Sequence, residues 1–205
     1  MITEKSCGEF LDALASGSPV PGGGGASALA GALGAALGSM VCNLTLGRKK
    51  YADVQGDIER IIARMETVRG ELTALVNEDA VAFEPLSKAY GLPKDAPGRD
   101  EILEKCLREA CAVPARIART VRDVIALLEE LAVKGSRIAI SDVGVGAAFC
   151  GAALLGASLN VSINTGLMKD RGYAGGMDAE IEAILAEWVP RADAVFRTVA
   201  AGLRR

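Results

Sequence analysis

Two stretches of this 205-residue chain, 26–46 and 143–168, contain no Asp, Glu, Lys or Arg. Both run past twenty residues, and neither alternates polar with apolar at period two, so both read as helix and not as strand. Each is interrupted by glycine: Gly31, Gly34 and Gly38 in the first, Gly144, Gly146, Gly151 and Gly156 in the second. A glycine inside a helix costs about 1 kcal/mol against alanine. Close backbone approach by another helix is the gain expected to offset it. Either stretch is long enough to cross a bilayer. Their side chains are mostly Ala and Gly, however, and amides or hydroxyls (Asn43 and Thr45, then Asn160 and Asn164) sit near their ends, so a membrane is disfavoured. A helix that is apolar all round must be covered all round. The two are therefore expected as a central pair, each packed on the other or at a subunit contact.

The remaining segments supply the cover. Residues 4–16 read as a short amphipathic helix with Phe10, Leu11 and Leu14 on one side. Over 54–90 a seam of Ile58, Ile61, Met65, Val68, Leu72, Leu75, Asp79, Ala82 and Leu86 steps by three and four, the spacing of bundle packing. Residues 91–98, GLPKDAPG, form a turn-rich break. A second long helix covers 99–133, with Pro114 expected to bend it. Ser141 is the expected N-cap of the helix over 143–168, with Asp142 in its first turn. Residues 167–178 read as loop, and Asp178 as the cap of a last amphipathic helix bent at Pro190. The fold class is all-α, an up-and-down bundle of about six helices around the two Gly/Ala-rich ones, forming one domain over 1–205.

Composition removes several function classes. Apolar residues make up 50% and aromatics only 4%, so Ala and Gly supply much of the interior. A net charge of −3 gives no reason to expect a nucleic-acid partner. The chain has no histidine, which excludes a His-ligated zinc site and Ser-His-Asp chemistry. Its five cysteines form no CxxC pair. No secretory signal is read ahead of them, so they are expected as reduced, small core residues of a cytoplasmic protein. Cys42, inside an apolar helix, is expected to be inert.

Three places carry candidate chemistry. In 18–25, Pro19 and Pro21 set an extended entry, and Gly22, Gly23, Gly24 and Gly25 allow close approach to the backbone. A helix beginning at 25–27 would leave amide hydrogens free for an anionic or carbonyl oxygen; a plain sharp turn into a buried helix explains the same residues. Asp79 stands on a seam whose earlier members are all apolar. A buried carboxylate without partners is costly, so it is either bonded to a neighbouring helix end or functional. With no histidine available, a desolvated carboxylate is the leading general base or acid. Arg48, Lys49 and Lys50 form the densest basic cluster, either a solvated helix C-terminus or a seat for an anion.

The residues PGGGG (21–25) followed by the Ala/Gly helix, MVCNLTLGRKKY (40–51), LVNEDAVAF (75–83), YGLPK (90–94), Val113-Pro114, Ser141-Asp142 and the 160–164 segment together resemble the formiminotetrahydrofolate cyclodeaminase/methenyltetrahydrofolate cyclohydrolase family. The resemblance implies a short, all-helical, folate-acting enzyme that requires no metal and no cofactor. It implies Asp79 as the catalytic carboxylate, with Lys49 sharing the proton traffic. Pro21, Gly22, Gly23, Gly24 and Ser27 would line the substrate site. Arg48 and Lys50 would seat the anionic glutamate tail, with Tyr51 packing on the ring or aminobenzoyl group. Ser141, Asp142, Asn160 and Asn164 would meet the donor and acceptor edge of the pterin. Hydrolysis of methenyltetrahydrofolate is the expected activity. Loss of ammonia from formiminotetrahydrofolate and a non-catalytic folate-binding or assembly module are the alternatives. A homodimer built on a glycine helix is expected, with the folate site near the contact.

Overall fold

The computed structural model describes residues 1–204 and, over them, is all-helical. The helices are α1 (Cys7–Ala15), α2 (Gly23–Thr45), α3 (Gln55–Tyr90), α4 (Arg99–Lys134), α5 (Ile140–Thr165) and α6 (Arg171–Leu203). Short 3₁₀ turns cover Ile2–Glu4, Lys49–Val54 and Arg137–Ala139. α2 packs on α3 and α5, and α5 on α2, α4 and α6, giving a bundle in which the two uncharged helices are immediate neighbours.

Their glycines explain the closeness. A Cβ at Gly34 would lie 2.6 Å from Cys150 Sγ and 2.9 Å from the Gly146 carbonyl, so α2 meets the backbone of α5 there. Gly31 and Gly38 face the other way: a Cβ would lie 2.7 Å from Val121 and 2.6 Å from Met65 respectively. Contacts of Gly23 with Asn160, Ser27 with Gly156 and Gly34 with Gly146 show that α2 and α5 run antiparallel. The seam of α3 is buried from Ile58 to Leu75, and Leu128, Leu131, Ile117 and Leu154 complete the core. Burial pushes the Cys42 thiol up to about 11 and that of Cys150 up to about 12, as expected of inert core residues. Leu11, expected on the buried side of α1, is 61% exposed, and only Phe10 of that helix is fully buried.

Four helix ends differ from the sequence reading. α2 starts at Gly23, so three of the glycines form its first turn instead of a loop. α5 starts at Ile140, which puts Ser141 inside the first turn with no capping bond. α5 also stops at Thr165, short of 168. α6 starts at Arg171, because the Asp170 carboxylate accepts the Tyr173 amide at 3.0 Å. Asp178, expected as the cap, lies a further two turns along and accepts the Thr165 hydroxyl at 2.6 Å. The glycines at 172, 175 and 176 lower helix propensity there, and tertiary packing overrides it.

Candidate active site

The site is built where the start of α2 meets α3. Gly22 is the N-cap and has no side chain to satisfy the amides that follow. The substitute comes from α3: Asp79 Oδ2 accepts the Gly25 amide at 2.8 Å. Gly24 makes this possible, since a Cβ there would stand 2.1 Å from Asp79 Oδ1. Glycine at 24 is thus a requirement of the carboxylate's position. The amides of Gly23 and Gly24 belong to the first turn and have no intrahelical acceptor.

Asp79 alone of its motif remains available. The Asn77 side chain donates to Thr3 Oγ1 at 2.8 Å, and Glu78 pairs with Arg116. Asp79 is half-buried. Burial pushes its carboxyl above the ordinary 3.8, with the Gly25 amide acting in the opposite direction. A carboxylate moved upward in this way is a better base for proton transfer near neutral pH than an exposed one.

A cavity of about 220 Å³ opens onto this carboxylate. Gly22, Gly23 and Gly24 form one side, Asn160 and Asn164 of α5 another, and Ala110 and Pro114 of α4 a third. Pro19, Val20, Phe83 and Ile163 are its apolar wall. Each amide nitrogen makes one bond to the backbone of α5 and keeps a second N–H: Asn160 donates to the Gly156 carbonyl and Asn164 to the Asn160 carbonyl, each at 2.8 Å. Their oxygens are left as acceptors. Pro114 has no amide hydrogen, so the Ala110 carbonyl lacks its helical donor. The cavity therefore offers acceptors beside the free donors of Gly23, Gly24 and the two side-chain amides, and suits a flat, partly apolar group whose edge carries both donors and acceptors. A shallower groove of about 450 Å³ shares Pro19, Val20 and Phe83 and continues along α3 past Val81 to Lys88.

Of the residues singled out in the sequence, Asp79, Gly22, Gly23, Gly24, Asn160 and Asn164 come together here. Ser27 does not reach the cavity: its hydroxyl donates to the Gly23 carbonyl at 2.7 Å and packs against Gly156. Pro21 is behind the glycine turn, near Gly25. Arg48, Lys49, Lys50 and Tyr51 follow the opposite end of α2, about 33 Å away at 1.5 Å per residue. Lys49 is therefore not beside Asp79 in the same chain. The Tyr51 hydroxyl accepts the Arg137 amide at 2.9 Å. Ser141 and Asp142, at the start of α5, belong to that end as well. Gly47, with φ of +69°, stops α2 before the cluster, so Arg48 precedes a 3₁₀ turn that carries Lys49 and Lys50, and none of the three is on the helix itself. Sequence reasoning missed Pro114 as a wall of the site, having assigned it only a bend; it also missed Phe83 and Ile163. The 3.6-residue period carries Phe83 onto the face of Asp79 one turn later, which is the signal that was available.

Comparison with known proteins adds four findings. Residues 6–183 match the family described as formiminotransferase-cyclodeaminase. The methenyltetrahydrofolate cyclohydrolase of Methylorubrum extorquens is 42% identical over 97% of this chain and 98% of its own length. The formimidoyltransferase-cyclodeaminase of Sus scrofa is 35% identical over 91% of this chain, which spans only 35% of that protein. Among solved structures, the formiminotetrahydrofolate cyclodeaminase of Thermotoga maritima is similar at a TM-score of 0.85 and 34% identity, covering 97% of this chain and 96% of that one.

Proposed function

The chain belongs to the formiminotransferase-cyclodeaminase family, and on that premise we propose that it is a methenyltetrahydrofolate cyclohydrolase. The single observation that carries the assignment is the half-buried Asp79 carboxylate, held at the start of α2 and opening onto a cavity lined by hydrogen-bonding groups. The relative named as a cyclohydrolase is 42% identical, against 34% for the cyclodeaminase of similar coverage, which supports hydrolysis over deamination.

The substrate's bridging carbon lies between two nitrogens in an amidinium-like cation. Water adds to that carbon, and Asp79 takes the proton that the water loses. The bond from carbon to the ring nitrogen then breaks, the nitrogen leaves with a proton that Asp79 can return, and the hydroxyl proton passes to solvent as the formyl C=O forms, so that one proton is released overall. The product is formyltetrahydrofolate. The oxygens of Asn160 and Asn164 and the Ala110 carbonyl accept from the amino-pyrimidinone edge of the pterin. The cavity is smaller than the roughly 300–1,000 Å³ of sites that enclose a whole drug-sized ligand, so the aminobenzoyl-glutamate part extends outside it. No metal or cofactor enters this scheme. We also assign the chain a cytoplasmic location and a homodimeric state built on the uncharged face of α2 and α5.

Loss of ammonia from formiminotetrahydrofolate is the second reading, supported by the structural similarity to the cyclodeaminase of Thermotoga maritima. Both reactions act on the same carbon. Following the near-ultraviolet absorbance of methenyltetrahydrofolate at neutral pH, with formiminotetrahydrofolate run alongside, separates them. Saturable loss of the methenyl absorbance is expected. Turnover of the formimino compound alone would make the chain a cyclodeaminase, and turnover of neither would leave a binding module.

A further inference from the structure

Three glycine amides open α2, and only one of them has an acceptor. The Gly25 amide donates to Asp79 Oδ2 at 2.8 Å. Those of Gly23 and Gly24 donate to nothing among the described residues, and both residues line the cavity. The turn that carries them is held in place. The Gly23 carbonyl accepts the Ser27 hydroxyl at 2.7 Å, and that hydroxyl packs against Gly156 of α5. Gly23 also lies against the Asn160 side chain, where a Cβ would stand 3.1 Å from Nδ2. The free amides of a first helical turn point out of the helix start together, and consecutive backbone nitrogens there are roughly 3 Å apart. An oxygen that accepts from Gly24 is therefore within hydrogen-bonding reach of the Asp79 carboxylate. A second group in the cavity is also unmet: Asn164 is nine-tenths buried, and its side-chain oxygen accepts no bond among the described residues.

We propose that the Gly23 and Gly24 amides form the oxyanion site of the hydrolysis, holding the oxygen that water brings to the bridging carbon while Asp79 handles its proton. This rests on the cyclohydrolase reading above. An electron pair of the water forms the C–O bond, the π pair of the amidinium moves onto nitrogen, and Asp79 takes one proton. The ring nitrogen then receives that proton from Asp79 and leaves with the pair of its bond to carbon. An oxygen lone pair closes the C=O bond, and the hydroxyl proton passes to solvent. Charge builds on the oxygen as it gives up this last proton, and there two fixed donors count most. The cavity is thereby divided: Asn160, Asn164 and the Ala110 carbonyl meet the pterin edge, and the glycine turn meets the reacting atom. The missing cap has the same explanation, because a Ser or Asp at 22 would take an amide of the first turn for itself.

Proline at 23 tests this by removing one amide hydrogen. Position 23 is the first residue of the helix, where proline is best tolerated, and Gly22 before it is already extended at φ −125° and ψ −161°. Gly23→Ala carries the same Cβ towards Asn160 and keeps the hydrogen. The kcat of Gly23→Pro should fall at least about tenfold below that of Gly23→Ala, with similar KM. Gly22→Ser, whose hydroxyl caps the turn, replaces the proline variant if that does not fold; its kcat should fall while its thermal stability does not. Equal kcat in the proline and alanine variants, or a loss carried by KM alone, would overturn the proposal. Amide chemical shifts give a readout without turnover. In isotope-labelled Asp79→Asn, formyltetrahydrofolate should move the Gly23 and Gly24 amide protons downfield, and tetrahydrofolate, which lacks the formyl oxygen, should not. Equal movement with both would put these amides on the pterin and overturn the proposal. If the wild-type protein turns over no methenyltetrahydrofolate, the cyclohydrolase reading fails and the oxyanion site with it; if it does, and the proline and alanine variants agree, the oxyanion site alone fails.

Discussion

At its C-terminal end α2 is closed. The Thr45 hydroxyl donates to the Val41 carbonyl at 2.7 Å and accepts the Ser136 amide at 2.9 Å. The Gln55 side chain bridges the Gly47 amide and the Tyr51 carbonyl, each at 2.8 Å. At its N-terminal end the same helix is open. Gly22 offers no cap, one amide is taken by Asp79 of another helix, and two more face a cavity. The closed end is finished by Thr45 of α2 and Gln55 of α3, away from any ligand cavity described above; the open end uses glycines that contribute nothing but backbone. A helix end built only to be stable would resemble the first. The second gives up local capping to hold a carboxylate where a ligand can reach it.

The strongest way to break this contrast is Asp79→Asn. Asn keeps the volume and can still accept the Gly25 amide, so the variant should fold, while kcat for the methenyl substrate should fall by about 10² to 10⁴. Burial raises the Asp79 carboxyl, so the folded chain holds that proton more tightly than the unfolded one. The Asp79 contribution therefore becomes more favourable as pH falls from neutral through the raised value towards 3.8. Thermal unfolding should find Asp79→Asn no less stable than wild type at neutral pH, with the difference closing in acid. A large loss of stability at neutral pH would make Asp79 a structural cap.

Next in size is a pair of neighbouring glycines. Gly24→Ala drives a Cβ into Asp79 and should lower kcat by about 10², the usual result of a misplaced catalytic group. Gly25→Ala meets its nearest atom at 3.5 Å, an ordinary contact, and should be nearly silent. Equal effects would remove the special role of the open end.

Smaller, and away from both ends, is Gly34→Leu. Its Cβ meets backbone on α5, so overpacking should destabilise by about 1–3 kcal/mol in denaturant unfolding. Unchanged stability would show that α2 and α5 are not in backbone contact. The smallest expected effect is at the closed end: Arg48→Gln with Lys50→Gln should raise KM a few-fold for polyglutamylated substrate, less for the monoglutamate, with added salt mimicking the change. Equal shifts for both substrates would return the cluster to a solvated helix end.

The glycine pattern and the seam made the fold legible. Gly31, Gly34 and Gly38 announced close neighbours, and the step from Ile58 to Leu86 announced a buried stripe with one carboxylate on it. Asp79 could be picked out because a single charge stood where every earlier residue was apolar. The helix starts were not legible, because the partners that set them are remote or local in ways no window shows. Gly23 begins α2 because the Gly25 amide is accepted by Asp79, fifty-four residues further along from Gly25. Nor could the residues tell which polar groups share an end. Asn160 and Asp142 lie on one helix, but eighteen residues of α5 separate them, about 27 Å at 1.5 Å per residue. Motif proximity in sequence grouped them; the rise of the helix separates them.

The pH dependence of kcat/KM for methenyltetrahydrofolate, corrected for uncatalysed hydrolysis, tests the central claim most directly. If Asp79 takes the proton from water, activity falls as pH falls through its raised value, giving an acid limb centred above 3.8. The residual activity of Asp79→Asn should be flat across that window. The same limb in wild type and Asp79→Asn would mean that another group, or the substrate itself, titrates, and that Asp79 is not the base.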